Sequence, residues 1–241
     1  MLGAAERLAW LRLYRSERIG PITFAGLLRR FGSASAALRA MPGWKARDGK
    51  PLTLCSIEDA ERELALAEKA GARLVAKADA DYPETLARLD DAPVLFYVKG
   101  DLNLTARPCI AVVGARNASA MGARFARTLA TDLGQAGLAV VSGLARGIDA
   151  AAHRGALESG TIAVLGTGVD IAFPPENTAL YDEIAARGAL ISDYPPGTTA
   201  RPQQFPRRNR IIFGLSLGVV VVEGALKSGS LRAVPESLDS R

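Results

Sequence analysis

Two hydrophobic rhythms divide the chain. Over the first 75 residues apolar positions return every three or four: Leu8, Leu11 and Tyr14, then Phe24, Leu27, Leu28 and Phe31. That period aligns apolar side chains on one helical face, so 1–75 reads as a small all-helical N-terminal domain. Its last helix is expected over Ile57–Ala70, stopped by Gly71. From residue 76 short β-branched and aliphatic runs alternate with amphipathic stretches. Strands are predicted at Val94–Val98, Ile110–Val113, Leu138–Ser142, Ile162–Leu165, Ala189–Ser192 and Gly218–Val222. Helices are predicted at Ala120–Gln135, Ile148–Glu158, Thr178–Arg187 and near Asn209–Leu215. Strands apolar on both faces and separated by helices specify a mostly parallel sheet with helices on both faces. The fold class is α/β, with a Rossmann-like domain over 76–241.

Composition sharpens this picture only modestly. The 241 residues are 49% hydrophobic, enough for a packed core, and the net charge of +5 favours an acidic partner without naming it. Cys55 and Cys109 lie far apart, which argues against a disulfide framework or a metal site and for reduced thiols in a cytoplasmic protein. No apolar run approaches the roughly 20 residues of a membrane helix, so a soluble chain without membrane association is expected.

The chemistry should sit where strands end, because ligands of open α/β sheets gather at the carboxyl edge. The first strand leads into Gly114, Arg116 and Ser119; the amides at the following helix start carry partial positive charge suited to phosphate. The second leads into Gly143, Arg146 and Gly147, glycines that would let a ligand approach the backbone, with Asp149 as a helix cap. His153, the one histidine, has no serine or cysteine nucleophile evident beside it and reads as structural. Asp170 and the Pro174-Pro175 pair shape a rigid third loop, and Asn177 is expected to cap the next helix. The fourth loop carries Arg201 and Phe205 before the cluster Arg207, Arg208, Asn209 and Arg210; Glu223 ends the last strand. Asp149, Asp170, Asp193 and Glu223 share this rim, so some of its arginines can be paired internally. A surplus of guanidinium groups suits phosphates, and Phe205 offers a face for a base, as in single-strand binding. No acidic ribose ligand ends the second strand, and neither a metal cluster, a P-loop lysine nor a paired-carboxylate motif is present: no cofactor, no metal and no catalytic residue is expected. In the helical part, the Gly20-Pro21 turn resembles a helix-hairpin-helix turn whose amides can meet a phosphate; a packing turn between core helices is the competing reading.

The segments "VVGARNASAMG", "VVSGLARGIDAAAHRGAL", "TIAVLGTGVDIAFPPEN", "DYPPGT", "FPRRNRIIFGLS" and "VVVVEGALKSGSL" follow one another between Tyr82 and Leu231. In this order they resemble the DNA-processing protein A family (DprA/Smf), and the helical start is similar to that family's N-terminal domain. The resemblance implies a sequence-independent single-stranded DNA-binding protein of DNA uptake and natural transformation. Such a protein protects incoming strands, promotes loading of the RecA recombinase and forms a homodimer, without enzymatic activity. It places the DNA pocket at Gly114, Arg116 and Ser119, at Gly143, Arg146 and Gly147, and at Phe205, Arg208 and Asn209. This chain has Ala115 where the family usually has serine. After "SGSL" it departs from the family pattern: "RAVPESLDSR" reads as a later loop reached by skipping about fifteen residues, whether by deletion or by a gap, and the expectation is a version without the C-terminal winged-helix domain that many members carry, its sheet missing an edge strand.

Two other readings compete. A nucleotide phosphoribohydrolase of the lysine-decarboxylase-like type also uses glycine loops and arginines, but its "PGGxGTxxE" signature is echoed only loosely by "LGTGVDIAFPPE". A protein-interaction module would use the arginines to satisfy its own carboxylates.

Overall fold

A computed structural model describes residues 2–44, 49 and 52–224. The expected departure after "SGSL" lies outside the described residues. Four helices lead: α1 (Ala4–Arg15), α2 (Pro21–Phe31), α3 (Ala34–Ala40) and α4 (Ile57–Lys69). Their apolar faces meet as the three-four spacing requires: Trp10 packs edge-on against Phe24 at 4.9 Å, over buried Leu11, Leu13 and Leu27. This helical unit is tied to the sheet by polar contacts. Arg7 forks onto Asp79 at 2.6 and 2.7 Å, while Arg15 donates to Glu63, which also accepts from Tyr97 Oη at 2.6 Å.

Seven strands form one sheet in the order β1-β2-β6-β5-β4-β3-β7. These are β1 (Arg73–Ala76), β2 (Leu95–Gly100), β3 (Cys109–Gly114), β4 (Ala139–Ser142), β5 (Thr161–Val164), β6 (Ala189–Ser192) and β7 (Gly218–Val222). From β6 to β7 all pairings are parallel, whereas β1 and β2 run antiparallel at one edge. The chain steps outward from β3 through β4, β5 and β6, then returns to place β7 on β3's other side. That reversal makes a crevice at the carboxyl edge beside β3. Between β1 and β2 lies the short α5 (Glu84–Ala87).

The helices that follow are α6 (Ala120–Gln135), α7 (Ile148–Ala156), α8 (Thr178–Arg187) and α9 (Gln204–Leu215). One face of the sheet buries Val112 and Val140 with Ala126, Ile148 and Ala152 of α6 and α7. On the other face Ala111, Val141 and Val164 meet Ile211, Ile212 and Leu215 of α9. The alternation of side chains across the pleat assigns neighbouring strand residues to opposite helical layers.

Two elements differ from the sequence reading. Residues 73–75, expected to close the helical domain, belong to β1, which pairs Val75 with Phe96. The run "RLVA" is too short for its period to show, and its pairing partner supplies the structure. The larger change is α9, which starts at Gln204 rather than near Asn209. Pro206 reads as a loop marker, yet it lies in the first turn, where a helix has no use for a backbone N–H. Phe205 and the arginine cluster therefore ride on a helix, with Phe205, Arg208, Asn209 and Ile212 on one face.

Candidate functional site

At the carboxyl edge a cavity of about 410 Å³ opens between the end of β3 and the first turns of α9. Gly114, Arg116, Asp149, Phe205, Arg208 and Asn209 all line it. Six of the residues singled out in sequence are thus brought together, but their roles divide.

The buried arginine is Arg208, only 4% exposed. Its Nη1 donates to Gly143 O at 2.7 Å and to Val164 O, and its Nε donates to Asn209 Oδ1 at 3.3 Å. Burial pushes its pKa down to about 10, opposed by the nearby Asp149 carboxylate, so it stays charged at neutral pH. Asp149 is itself buried and accepts from Gly143 N at 3.1 Å and Ala145 N at 3.4 Å. Burial raises its pKa, while the Arg208 charge and these amides hold it down. Gly143 is therefore held at both ends, its N–H by Asp149 and its carbonyl by Arg208. A methyl group at Gly143 would overlap the Arg208 guanidinium, so what this glycine admits is the chain's own arginine. Gly147 works likewise. Its φ of +74° is a glycine conformation, and a Cβ would strike the carbonyls of Ala115 and Arg116. The first loop docks there, with Ile148 N donating to Ala115 O at 3.2 Å. Gly114 ends β3, where Val222 O and Ile148 leave no space for a side chain.

Further residues close internal contacts. Arg210 donates to Asp193 Oδ2 at 2.7 Å and to Asp91 O, away from the cavity lining. The contact with Asp193 ties α9 to the loop after β6. Ser119 caps α6 by accepting from Gly122 N at 3.0 Å, and both its N–H and its hydroxyl donate to the Glu223 carboxylate. That contact holds Glu223 below the usual carboxylate range. The amides expected to receive a phosphate at α6 thus already face a carboxylate of the chain. Asn177 makes no side-chain cap; its Nδ2 donates to Leu144 O and Ala145 O at 3.0 and 3.2 Å. It thereby pins the loop after β4, in which Leu144 holds a φ of +56°. His153 is fully buried and its pKa is pushed down to about 3 by burial. Thr161 Oγ1 donates to Val140 O, so the 2.7 Å contact is a donation from His153 Nδ1–H to that hydroxyl. The imidazole is neutral and forms part of the core.

Outside these locks stand Arg116, Arg201 and Arg207, which are exposed. Among the described residues no carboxylate lies within ion-pair distance of any of the three. Arg116 lies over the Phe205 ring at 5.6 Å. Arg146 pairs with Glu176 at 3.0 Å, but both side chains are about half or more exposed, so the pair is weak. Phe173 was not picked out from the sequence. It packs its ring 5.5 Å from that of Phe205 and lies at the same edge. An aromatic residue immediately before the Pro174-Pro175 pair was the available signal.

A family model described as DNA recombination-mediator protein A matches residues 73–241. The chain belongs to that family. A second model, the DprA-like N-terminal HHH domain, matches residues 4–66. DNA processing protein DprA of Streptococcus pneumoniae is 46% identical over 164 residues, covering 66% of this chain and 58% of that protein. Protein Smf of Synechocystis is 34% identical over 250 residues, covering 94% and 61%. This chain thus spans about three fifths of the length of these relatives. The crystal structure of the pneumococcal DprA superposes with a TM-score of 0.75 at 32% identity, covering 97% of this chain and 82% of that one. A structure of DNA processing protein A from Helicobacter pylori, reported for its single-stranded DNA binding mode, superposes with a TM-score of 0.63 at 30% identity. It covers 67% of this chain and 74% of that one. Membership in this family favours the DNA-processing reading over the phosphoribohydrolase one.

Proposed function

We propose that this chain binds single-stranded DNA without reading its sequence, along the carboxyl edge of the sheet, as a DNA-processing protein of natural transformation. The observation that carries the reading is the cavity beside β3, rimmed by Arg116, which no carboxylate among the described residues neutralises, and by the aromatic Phe205. Arg201 and Arg207 extend the positive rim, and Arg146 adds a cation that a phosphate can take from Glu176. These arginines take phosphates, and the aromatic edge takes bases. Duplex DNA hides its base faces in the stack and offers only the phosphate part of this binding. Gly114, Ser119, Gly143, Gly147, Arg208, Asn209 and Arg210 act by giving the loops their shape.

In this role the chain shields incoming strands and promotes loading of the RecA recombinase. It works as a cytoplasmic homodimer of two-domain chains, divided near residue 75, and performs no chemical step on the DNA. Among the described residues no helix is long and apolar enough to cross a membrane, and no cluster of side chains could hold a metal ion. Fluorescence anisotropy with a labelled oligothymidine, compared with a duplex of equal length, tests the binding claim. Tighter binding of the single strand is expected; equal affinity would sink it. Light scattering of the same sample tests the homodimer.

A further inference from the structure

Phe205 has little free surface for a base. It is half-buried, Arg116 lies over its ring at 5.6 Å, and the Phe173 ring lies 5.5 Å away at a tilt of 33°. Beneath it, Gly166 leaves so little room that a Cβ there would come within 2.8 Å of Phe205 Cδ1. Phe205 is thus the middle of a row, with an offset aromatic contact on one neighbour and a cation on the other. The outer member is Phe173, a residue 38% exposed and more open than the half-buried Phe205 behind it. It projects from a loop fixed at its base by the buried Pro174 and the buried Asn177. Beside it is a small cavity of about 100 Å³, bounded by Phe173, Pro174, Phe205, Arg116 and Arg146.

An exposed aromatic ring costs solvation unless something flat and apolar covers it. Two arginines, Arg116 and Arg146, line the small cavity beside it, so the covering group should carry negative charge close to its ring. A nucleobase attached to its phosphate has that chemistry. We propose that Phe173 is a nucleobase-stacking residue of this protein, with Phe205 and Arg116 as its backing and Arg146 placed for the adjoining phosphate. This inference rests on the single-strand reading above and relocates the stacking face from Phe205 to Phe173. Phe205 is then a positioning residue.

The test uses the whole chain with two probes of equal length, an oligothymidine and an abasic strand with the same phosphates. Phe173→Ala is expected to weaken oligothymidine binding about 5- to 140-fold, as for loss of one stacked base. Its affinity for the abasic strand and its salt dependence should match the wild type. Phe173→Trp should retain affinity, and its added indole emission should be quenched by oligothymidine but not by the abasic strand. Trp10 and Trp44, measured in the wild type, provide the blank. The assignment is overturned if Phe173→Ala binds oligothymidine like the wild type, or loses affinity for both probes equally. Failure of the wild type itself to bind oligothymidine would remove the underlying reading, and this inference with it. Thermal denaturation of both variants checks that the fold persists.

Discussion

Arg208 is the residue whose removal separates support from ligand contact. In Arg208→Ala the carbonyls of Gly143 and Val164 lose their buried donor, and Asp149 loses the nearest compensating charge. Each carbonyl left unpaired costs about 1–3 kcal/mol, giving about 2–6 kcal/mol before Asp149 is considered. Protonation of Asp149 can relieve part of the remaining imbalance, since burial already raises its pKa. Against a typical stability of about 5–15 kcal/mol, such a loss is a large share of the total. Urea denaturation followed by circular dichroism should show the midpoint falling at unchanged slope. Arg208→Lys should rescue only in part: one ammonium nitrogen can serve both carbonyls as Nη1 does, but it cannot also supply the Nε donor to Asn209 Oδ1. A cost for Arg208→Ala of less than about 1 kcal/mol, together with loss of one phosphate contact from the salt dependence, would refute this supporting role. That result would mean the guanidinium turns outward to the ligand.

Three further outcomes follow from the same geometry. Gly143→Ala should cost about 1–3 kcal/mol by displacing the guanidinium, and that cost should shrink in the Arg208→Ala background; a double-mutant cycle by denaturation reads the coupling. Asn177→Ala should cost about 1–3 kcal/mol in thermal or urea melts, because Leu144 O and Ala145 O lose their donor. His153 should make the fold acid-sensitive. With a folded pKa of about 3 against 6.5 unfolded, the unfolded chain binds the extra proton between those values. Stability should then fall by about 1.4 kcal/mol per pH unit as pH drops below 6.5, and His153→Gln should flatten that slope between pH 6.5 and 5.

The parallel sheet was legible because its strands are buried on both faces, leaving long apolar runs between helical stretches. Ala120–Gln135, Thr178–Arg187, Ala189–Ser192 and Gly218–Val222 have the expected bounds. The start of α9 was not, since Pro206 marks a loop and a helical first turn equally well. What most escaped the sequence was which partner each residue meets. An arginine cluster looks alike whether its members face solvent, as Arg207 does, or carbonyls, as Arg208 does, or Asp193, as Arg210 does. Helix phase decides between these, and the phase was unavailable while the segment read as a loop. The glycines gave a similar ambiguity: small residues at strand ends admit a ligand or another part of the chain, and at Gly143 and Gly147 it is the chain. Phe173 remained hidden because its importance comes from Phe205, thirty-two positions away in sequence (205 minus 173) and 5.5 Å away in space.

On the proposed function, the exposed arginines Arg116, Arg201 and Arg207 hold the phosphates of a single strand. This is tested most directly by anisotropy of labelled oligothymidine across a salt series, comparing the wild type with the combined variant Arg116→Ala, Arg201→Ala, Arg207→Ala. At about 0.7 per phosphate on single strands, the slope of log K against log[salt] should become shallower by about 2, with stability within about 0.5 kcal/mol of the wild type. An unchanged slope in a folded variant would contradict the account.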